Sequence, residues 1–516
     1  MRRRLILLLA AAVPLSATLI PMVAGAATSA TTTSCATMPV AAPPGATVEA
    51  VTATAQPAGT VSFPDSPIPG QQPVTDVPAR CEVTVTLTHP GGGDHVHVKI
   101  ALPQDPQQWS GRFQATGGSA YLAGDFGFPL ATGVKAGYVT AATDAGVGGN
   151  PVDVSGWALD ADGTLDTALL TDFASRSAHD MALVGKDVAN RFYGRKVTYS
   201  YWTGCSTGGR QGYEEAQAYP TDFQGILANA PAIDWDRFAI ATLWSQAVFN
   251  ETKTHPSPCV VDTFTNAAIA ACGNKDGYID DPANCHWDAR RLVGTKVACD
   301  GRTITIDRAT ADAVNKIWAG PPELGYGPNK GASLASLGAA GSPFFVADTW
   351  AKYFVTRNPT FDTTKLTYHT FDQLLRSSER QFHDIIGSDD PDLSRFARAG
   401  GKLLSWHGQA DQLVPTQGTV AYREKVKAGN VDDFYRLFLL PGVTHCGGGA
   451  GPQPTGDLDA LVNWVEHGQA PATLKATITE SNGTVVTSNV CRFPLVARYT
   501  GHGNPASAAN FRCVRT

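Results

Sequence analysis

Gly204-Cys205-Ser206-Thr207-Gly208 follows the strand-like run Lys196-Val197-Thr198-Tyr199-Ser200-Tyr201-Trp202 and precedes a helix-compatible segment rich in Glu, Gln and Ala. A strand, a sharp glycine-flanked turn and a helix expose the central serine hydroxyl at the top of a sheet, as the nucleophile elbow of an α/β-hydrolase fold does. Five residues with two glycines also recur by chance in a chain holding 52 glycines, so the motif alone leaves open a plain turn serine. Two later stretches bear on the choice. Asp411 ends Leu403-Leu404-Ser405-Trp406-His407-Gly408-Gln409-Ala410-Asp411, and His445 lies in Leu439-Leu440-Pro441-Gly442-Val443-Thr444-His445-Cys446. The order Ser, Asp, His along the chain is that of α/β-hydrolases and differs from both common serine-protease orders.

A serine hydroxyl is a poor nucleophile at neutral pH and needs a base within hydrogen-bond reach and a third group to orient that base. Ser206, His445 and Asp411 are the candidates for these roles. Asp432 and Asp433, just before the last core strand, are the alternative acids, and His445 could instead be a surface histidine beside Gly447-Gly448-Gly449. Cys205 directly precedes the serine and Cys446 directly follows the histidine. This Cys-Ser / Asp / His-Cys pattern resembles the tannase and feruloyl esterase family. The resemblance extends to Gly111-Arg112-Phe113 leading into Gly117-Gly118, to Tyr219-Pro220-Thr221-Asp222-Phe223-Gln224-Gly225-Ile226 and to Cys272 through Cys285, so that it covers the chain from about residue 35 to its end.

The ten cysteines suit disulfides in an oxidising compartment better than metal thiolates, because no Cys-x-x-Cys spacing is present. The resemblance and nearness in sequence imply Cys35 with Cys81, Cys205 with Cys446, Cys272 with Cys285 and Cys491 with Cys513; Cys259 with Cys299 is what remains. Met1-Arg2-Arg3-Arg4 and the apolar run Leu5 to Val13 read as a secretory signal ending at Ala24-Gly25-Ala26. Pro14, Ser16, Thr18 and Pro21 interrupt the stretch that a membrane anchor would need. Export to the extracellular space is therefore expected. A net charge of −6 over 516 residues offers no basic footprint for nucleic acid or an anionic membrane.

The triad residues are far apart in sequence and must meet in space, which one catalytic domain with a large insertion explains. Residues 1–26 form the signal peptide, 27–233 and 396–516 the α/β-hydrolase domain, and 234–395, rich in Pro, Gly and Asp with a helical stretch at Ala309 to Trp318, a lid. Upstream, Val83, Val85 and Leu87 alternate with Thr84, Thr86 and Thr88, the period of a half-buried strand.

The elbow supplies one oxyanion donor, the N–H of Thr207. A second should come from the loop after an early strand, where Gly117-Gly118-Ser119 stands and Gly118 is the favoured donor, although Ser119-Ala120 ends the glycine run early. Asn274-Lys275-Asp276-Gly277-Tyr278-Ile279-Asp280 offers oxygens at alternate positions around a glycine, like the first part of a calcium loop. The resemblance implies a structural calcium there, with Asp276, Asp280, the carbonyl of Tyr278 and Asn274 as ligands. The sequence lacks the longer aspartate-bearing stretch that the family commonly has after Cys272, so a plain Asp-Gly turn is the competing reading. His95 and His97 point to one face of a strand and read as an exposed face rather than a metal pair. Trp235, Phe238, Trp244, Phe249, Phe264 and Trp287 crowd the start of the lid and read mostly as core, with one or two available to line an aromatic pocket.

Together these features predict a secreted serine carboxylesterase working through an acyl-enzyme, with no organic cofactor. The resemblance implies esters of hydroxycinnamic acids such as ferulate, free or on plant cell-wall polysaccharides, as substrates, with gallate esters and then other aromatic esters such as mono(hydroxyethyl) terephthalate as alternatives. A serine peptidase using the same triad and a non-catalytic carbohydrate-binding protein are the rival classes.

Overall fold

The computed structural model describes residues 35–515 apart from 37, 65, 67, 69, 275, 338–340, 480–482 and 505. The signal segment expected at 1–26 lies outside the described residues. Nine strands form the central sheet: β1 (Thr47–Gln56), β2 (Arg80–Thr88), β3 (Val96–Pro103), β4 (Arg112–Thr116), β5 (Val139–Thr143), β6 (Tyr199–Cys205), β7 (Gly225–Asn229), β8 (Lys402–Gly408) and β9 (Tyr435–Leu440). Their order across the sheet is β1-β2-β3-β5-β4-β6-β7-β8-β9. The first three strands and β5 pair antiparallel, and every pair from β5/β4 onward is parallel. This is the mixed sheet of an α/β-hydrolase, with the elbow strand β6 in the parallel half.

Val83, Val85 and Leu87 of β2 are fully buried while the alternating threonines are half-buried, as the period-two pattern requires. Burying each such side chain contributes roughly 1.5–3 kcal/mol. β6 starts at Tyr199, three residues later than the apolar run suggests. Lys196 to Thr198 are held differently: the Val197 N–H donates to the Asn190 side chain at 2.7 Å and the Thr198 N–H to the Gly111 carbonyl at 2.8 Å. Two helices flank the elbow strand, α1 (Ser177–Tyr193) before it and α2 (Thr207–Ala218) after it.

Between β7 and β8 the chain leaves the sheet for a mostly helical insertion. It begins with α3 (Trp235–Ala241), includes the amphipathic helix Arg308–Ala319, and ends with α4 (Tyr368–Ile386). Trp235, Phe238, Trp244, Phe249, Phe264 and Trp287 are all buried in its core. That core is continuous with Tyr121, Trp157 and Phe173 from the segments above the sheet: Tyr121 stacks on Phe354 and meets Trp235 edge-on, Trp157 is tilted against Phe354, and Phe173 meets Trp235 edge-on. All ten cysteines are paired, as Cys35–Cys81, Cys205–Cys446, Cys259–Cys299, Cys272–Cys285 and Cys491–Cys513. Among the described residues no helix is long and apolar enough to cross a membrane.

Candidate active site

Ser206 sits between β6 and α2 with φ 62° and ψ −120°, a conformation that non-glycine residues adopt only under constraint. The constraint is visible around it. The Ser206 N–H donates to the Asn229 carbonyl at the end of β7, and its own carbonyl accepts from the Arg210 and Ala232 N–H groups. Helix α2 packs so tightly on the strand that a Cβ at Gly204 would lie 2.4 Å from the backbone of Gly208, and one at Gly208 would lie 3.0 Å from Gly117. The two elbow glycines are thus required by close approach.

Asp411, in the loop after β8, is buried. Its Oδ2 stands 2.8 Å from Nδ1 of His445, and its Oδ1 accepts from the Leu413 and Val414 N–H groups at 2.8 Å each. Burial works to raise the Asp411 carboxyl, but the charge of His445 and the hydrogen bonds from His407 and His445 outweigh it and hold the group far below the usual carboxylate range. An ionised carboxylate can only accept, so His445 Nδ1 carries the proton of that bond, and in the neutral imidazole the lone pair is then on Nε2. The His445 backbone N–H donates to the Gln412 side chain at 3.0 Å. The Cys205–Cys446 disulfide, with Cα atoms 5.9 Å apart, links the residue before Ser206 to the residue after His445. Among the described residues no hydrogen bond joins Ser206 Oγ to His445; such bonds are often loose before substrate arrives. The alternative acids point elsewhere: Asp432 pairs with Arg423 and Arg492, and Asp433 accepts from Asn430.

His407 is a member of this cluster that the sequence pattern did not bring forward. It is fully buried on β8, with Nε2 at 3.0 Å from Asp411 Oδ2 and 3.1 Å from the Val414 carbonyl, and Nδ1 at 2.9 Å from Thr419 Oγ1. Two acceptors facing Nε2 fix the proton there, so His407 donates to the same Asp411 oxygen that faces His445. His407→Leu is expected to lower kcat about tenfold or more at nearly unchanged KM, and to lower stability by roughly 2 kcal/mol for a lost bond to a buried charge. Wild-type kcat in that variant, measured on a chromogenic acetate ester, would show that His407 only packs.

The Thr207 N–H opens α2 and has no intrahelical acceptor. Gly118 does not fit the second oxyanion position: its N–H donates to Gln211 Oε1 at 3.0 Å and its carbonyl accepts from the Gly208 N–H. Gln211 on α2 faces the loop and takes that amide. From Gly117 to Leu122 the amides of Gly117, Ser119, Tyr121 and Leu122 are also engaged, leaving only that of Ala120 without a partner among the described residues. Ala120 has φ 49°, and its carbonyl accepts from Thr207 Oγ1 at 2.6 Å, which brings this loop against the elbow.

The loop Asn274 to Asp280 is closed by its own hydrogen bonds. Asn274 Oδ1 accepts from the Asp276 N–H, the Tyr278 carbonyl accepts from the Asn274 N–H, and Asn274 Nδ2 donates to Asp280 Oδ1 at 3.1 Å. An amide nitrogen therefore faces Asp280 where a calcium site needs an oxygen. His95 and His97 each face a carboxylate, that of Glu49 and Asp144 respectively, at 2.7 Å.

An apolar cavity lies between the insertion and the sheet domain. Phe238, Trp244, Ile317 and Leu324 line it from the insertion, and Pro231 and Val414 from the loops that carry Ser206 and Asp411 contacts. Ser206 is not among its walls.

The family model described as Tannase and feruloyl esterase matches residues 81–342 and 332–514. A probable feruloyl esterase of Arthroderma benhamiae is 42% identical over 507 residues, which cover 93% of each chain. Among solved structures, a tannin acyl hydrolase from Aspergillus niger has a TM-score of 0.80 at 27% identity, over 92% of both chains. Feruloyl esterase B from Aspergillus oryzae has a TM-score of 0.77 at 27% identity, over 91% of this chain and 97% of that one.

Proposed function

This chain belongs to the tannase and feruloyl esterase family and is a carboxylic ester hydrolase of that kind, and we propose that Ser206, His445 and Asp411 perform the hydrolysis. Ser206 Oγ attacks the ester carbonyl while His445 Nε2 takes its proton; the ionised Asp411 holds Nδ1–H and stabilises the imidazolium that forms. Charge developing on the carbonyl oxygen falls to the Thr207 N–H, with the Ala120 N–H as the candidate second donor. The alcohol leaves with the proton from His445, and water then attacks the acyl-enzyme by the same route. The bond from His445 Nδ1 to Asp411, with the disulfide beside it, is the observation that carries this assignment.

For the acyl group we propose a hydroxycinnamate of the ferulate type, on small esters and on plant cell-wall polysaccharides. The greater likeness to a chain named as a probable feruloyl esterase supports this, and so does the chemistry of the apolar cavity. Of the hydroxyls on its walls, Thr242 and Ser245 already donate to the Ala239 and Leu337 carbonyls and Thr419 is bonded to His407 Nδ1, leaving Tyr326. One phenol and a methoxy group suit such a wall. Gallate brings three hydroxyls, each costing about 1–3 kcal/mol if buried unpaired. Methyl ferulate should therefore show kcat/KM at least about tenfold above methyl gallate, a difference of about 1.4 kcal/mol. Efficient gallate release with negligible ferulate release would reverse the assignment.

The insertion 234–395 acts in this scheme as a lid. Export of the protein is proposed from the leader together with the five disulfides. Calcium at Asp276, Asp280 and the Tyr278 carbonyl also stands as a proposal; it requires the Asn274 amide to turn so that its oxygen faces Asp280.

A further inference from the structure

Asp234 and Asp236 lie where the chain leaves the sheet domain, and His383 and Asp389 where it returns at the end of α4. Asp234, Asp236 and His383 each offer a ligand atom within 4.8 Å of the others. The Asp236 side chain is 0% exposed, yet neither carboxylate oxygen has a hydrogen-bond partner; His383 Nδ1 stands 3.4 Å from Oδ2. Asp234 Oδ1 is also buried and unpartnered. Asp234 occupies the N-cap of α3, where an aspartate ordinarily caps the helix, but makes no such bond.

Buried carboxylates left without donors or counter-charge are costly. Asp389 adds another carboxylate, its Oδ1 3.7 Å from His383 Nε2. One guanidinium is nearby, and it is shared: Arg237 lies 3.8 Å from Asp234 and donates to Glu379 at 2.6 Å. Gly387 keeps the space clear, since a Cβ there would lie 3.1 Å from His383 Nδ1 and 3.2 Å from Asp389 Oδ1. A second buried cluster, His89 with Asp94 and Asp172, is built differently. Arg176 stands 2.5 Å from Asp172 and 3.6 Å from Asp94, and His89 bonds Asp94 and Asp180 through its two ring nitrogens.

We propose that Asp234, Asp236 and His383, with Asp389 at the rim, bind a divalent cation of the zinc and manganese class that ties together the outgoing and returning segments of the insertion. Carboxylates combined with an imidazole suit such a borderline cation, whereas calcium takes all-oxygen sets. The His383 side chain is 41% exposed and opens the site to solvent. The two segments already touch through the Asp234 N–H, which donates to the Gly387 carbonyl at 2.6 Å, and the outgoing one reaches the elbow through Ala232 and Ser206. The ion thus fastens the hinge of the insertion next to the nucleophile.

The test uses the whole protein, stripped with a chelator and titrated with ZnCl2, MnCl2 or CaCl2 by calorimetry and thermal denaturation. We expect one zinc or manganese ion per chain and a melting temperature raised by a few degrees at saturation. Asp236→Asn and His383→Gln should each weaken that binding at least about tenfold, and Asp280→Asn, in the separate loop, should leave it unchanged. If Asp236→Asn does not fold, the more exposed His383→Gln gives the same readout. The proposal is overturned if zinc and manganese fail to bind below millimolar concentration, if binding ignores both substitutions, or if only calcium binds. It is also overturned if Asp236→Asn raises the melting temperature of the stripped protein and no metal changes that of the wild type, because the cluster then holds protons.

Discussion

Ser206→Ala is expected to lower kcat on any ester substrate by about a millionfold, the scale on which loss of a triad serine acts elsewhere, while KM and the melting temperature change little. The expectation rests on position. Ser206 holds φ 62° because the elbow is fixed from three directions, by the Asn229 carbonyl, the Ala232 N–H and the first turn of α2. Those contacts are made by the Ser206 backbone, so alanine keeps them and loses only the hydroxyl. Left-handed backbone costs an alanine on the order of 1–2 kcal/mol, but serine bears the same strain, and the folded state should not be weakened by the exchange. Retention of more than a few per cent of activity in a preparation free of wild-type enzyme would sink the assignment. A serine-directed phosphonate offers a second readout, because it should label the wild type once per chain and leave the variant unlabelled.

The parts of the site that sequence reveals are those fixed by neighbours in the chain. The elbow is legible because a strand, two glycines and a helix follow one another within about twenty residues, and the glycines at 204 and 208 stand where backbone meets backbone. Asp411 and His445 are legible because each follows a short apolar strand in the same chain order as in other hydrolases. His407 carries a local signal of its own. It closes the run Leu403-Leu404-Ser405-Trp406, and a histidine in a fully buried strand must find partners, of which Asp411 four residues on is the nearest in sequence. Gly118 fails as a donor for a reason that no local pattern carries, since the competing acceptor, Gln211, is 93 residues away and arrives with α2. The carboxylates of Asp234 and Asp236 meet His383 only through the path of the insertion. The reach of the insertion's core is hidden in the same way: Tyr121, Trp157 and Phe173 look like any aromatic residues of the sheet domain, yet they pack against Trp235 and Phe354.

Removing the bridge beside the triad, by Cys205→Ala with Cys446→Ala, is expected to cut kcat about a hundredfold while KM stays within a few-fold. The bridge joins two residues that flank the reacting groups, and the chain it joins is otherwise separated by 241 residues. Both sides of the link hold positive-φ backbone, Ser206 at φ 62° and Cys446 at φ 58°, and Cys446 opens the glycine-rich turn at Gly447 to Gly449, whose hydrogen bonds run to Thr444 and Gln453 and not to the elbow. Without the covalent tie Cys446 can relax toward ordinary backbone and carry His445 with it. A displacement of about 1 Å between nucleophile and base costs on the order of a hundredfold in rate. The proposed grip on the substrate lies elsewhere, in the insertion and its apolar cavity, so binding should survive. The chain-entropy model adds a stability loss of up to roughly 5 kcal/mol for a loop of this length, which thermal denaturation of the double variant reads directly. The two measurements separate two roles. A lower melting temperature with wild-type kcat at moderate temperature would reduce the bridge to a staple of the fold, whereas a lower kcat in a protein still fully folded at the assay temperature marks it as the part that keeps Ser206 and His445 in register.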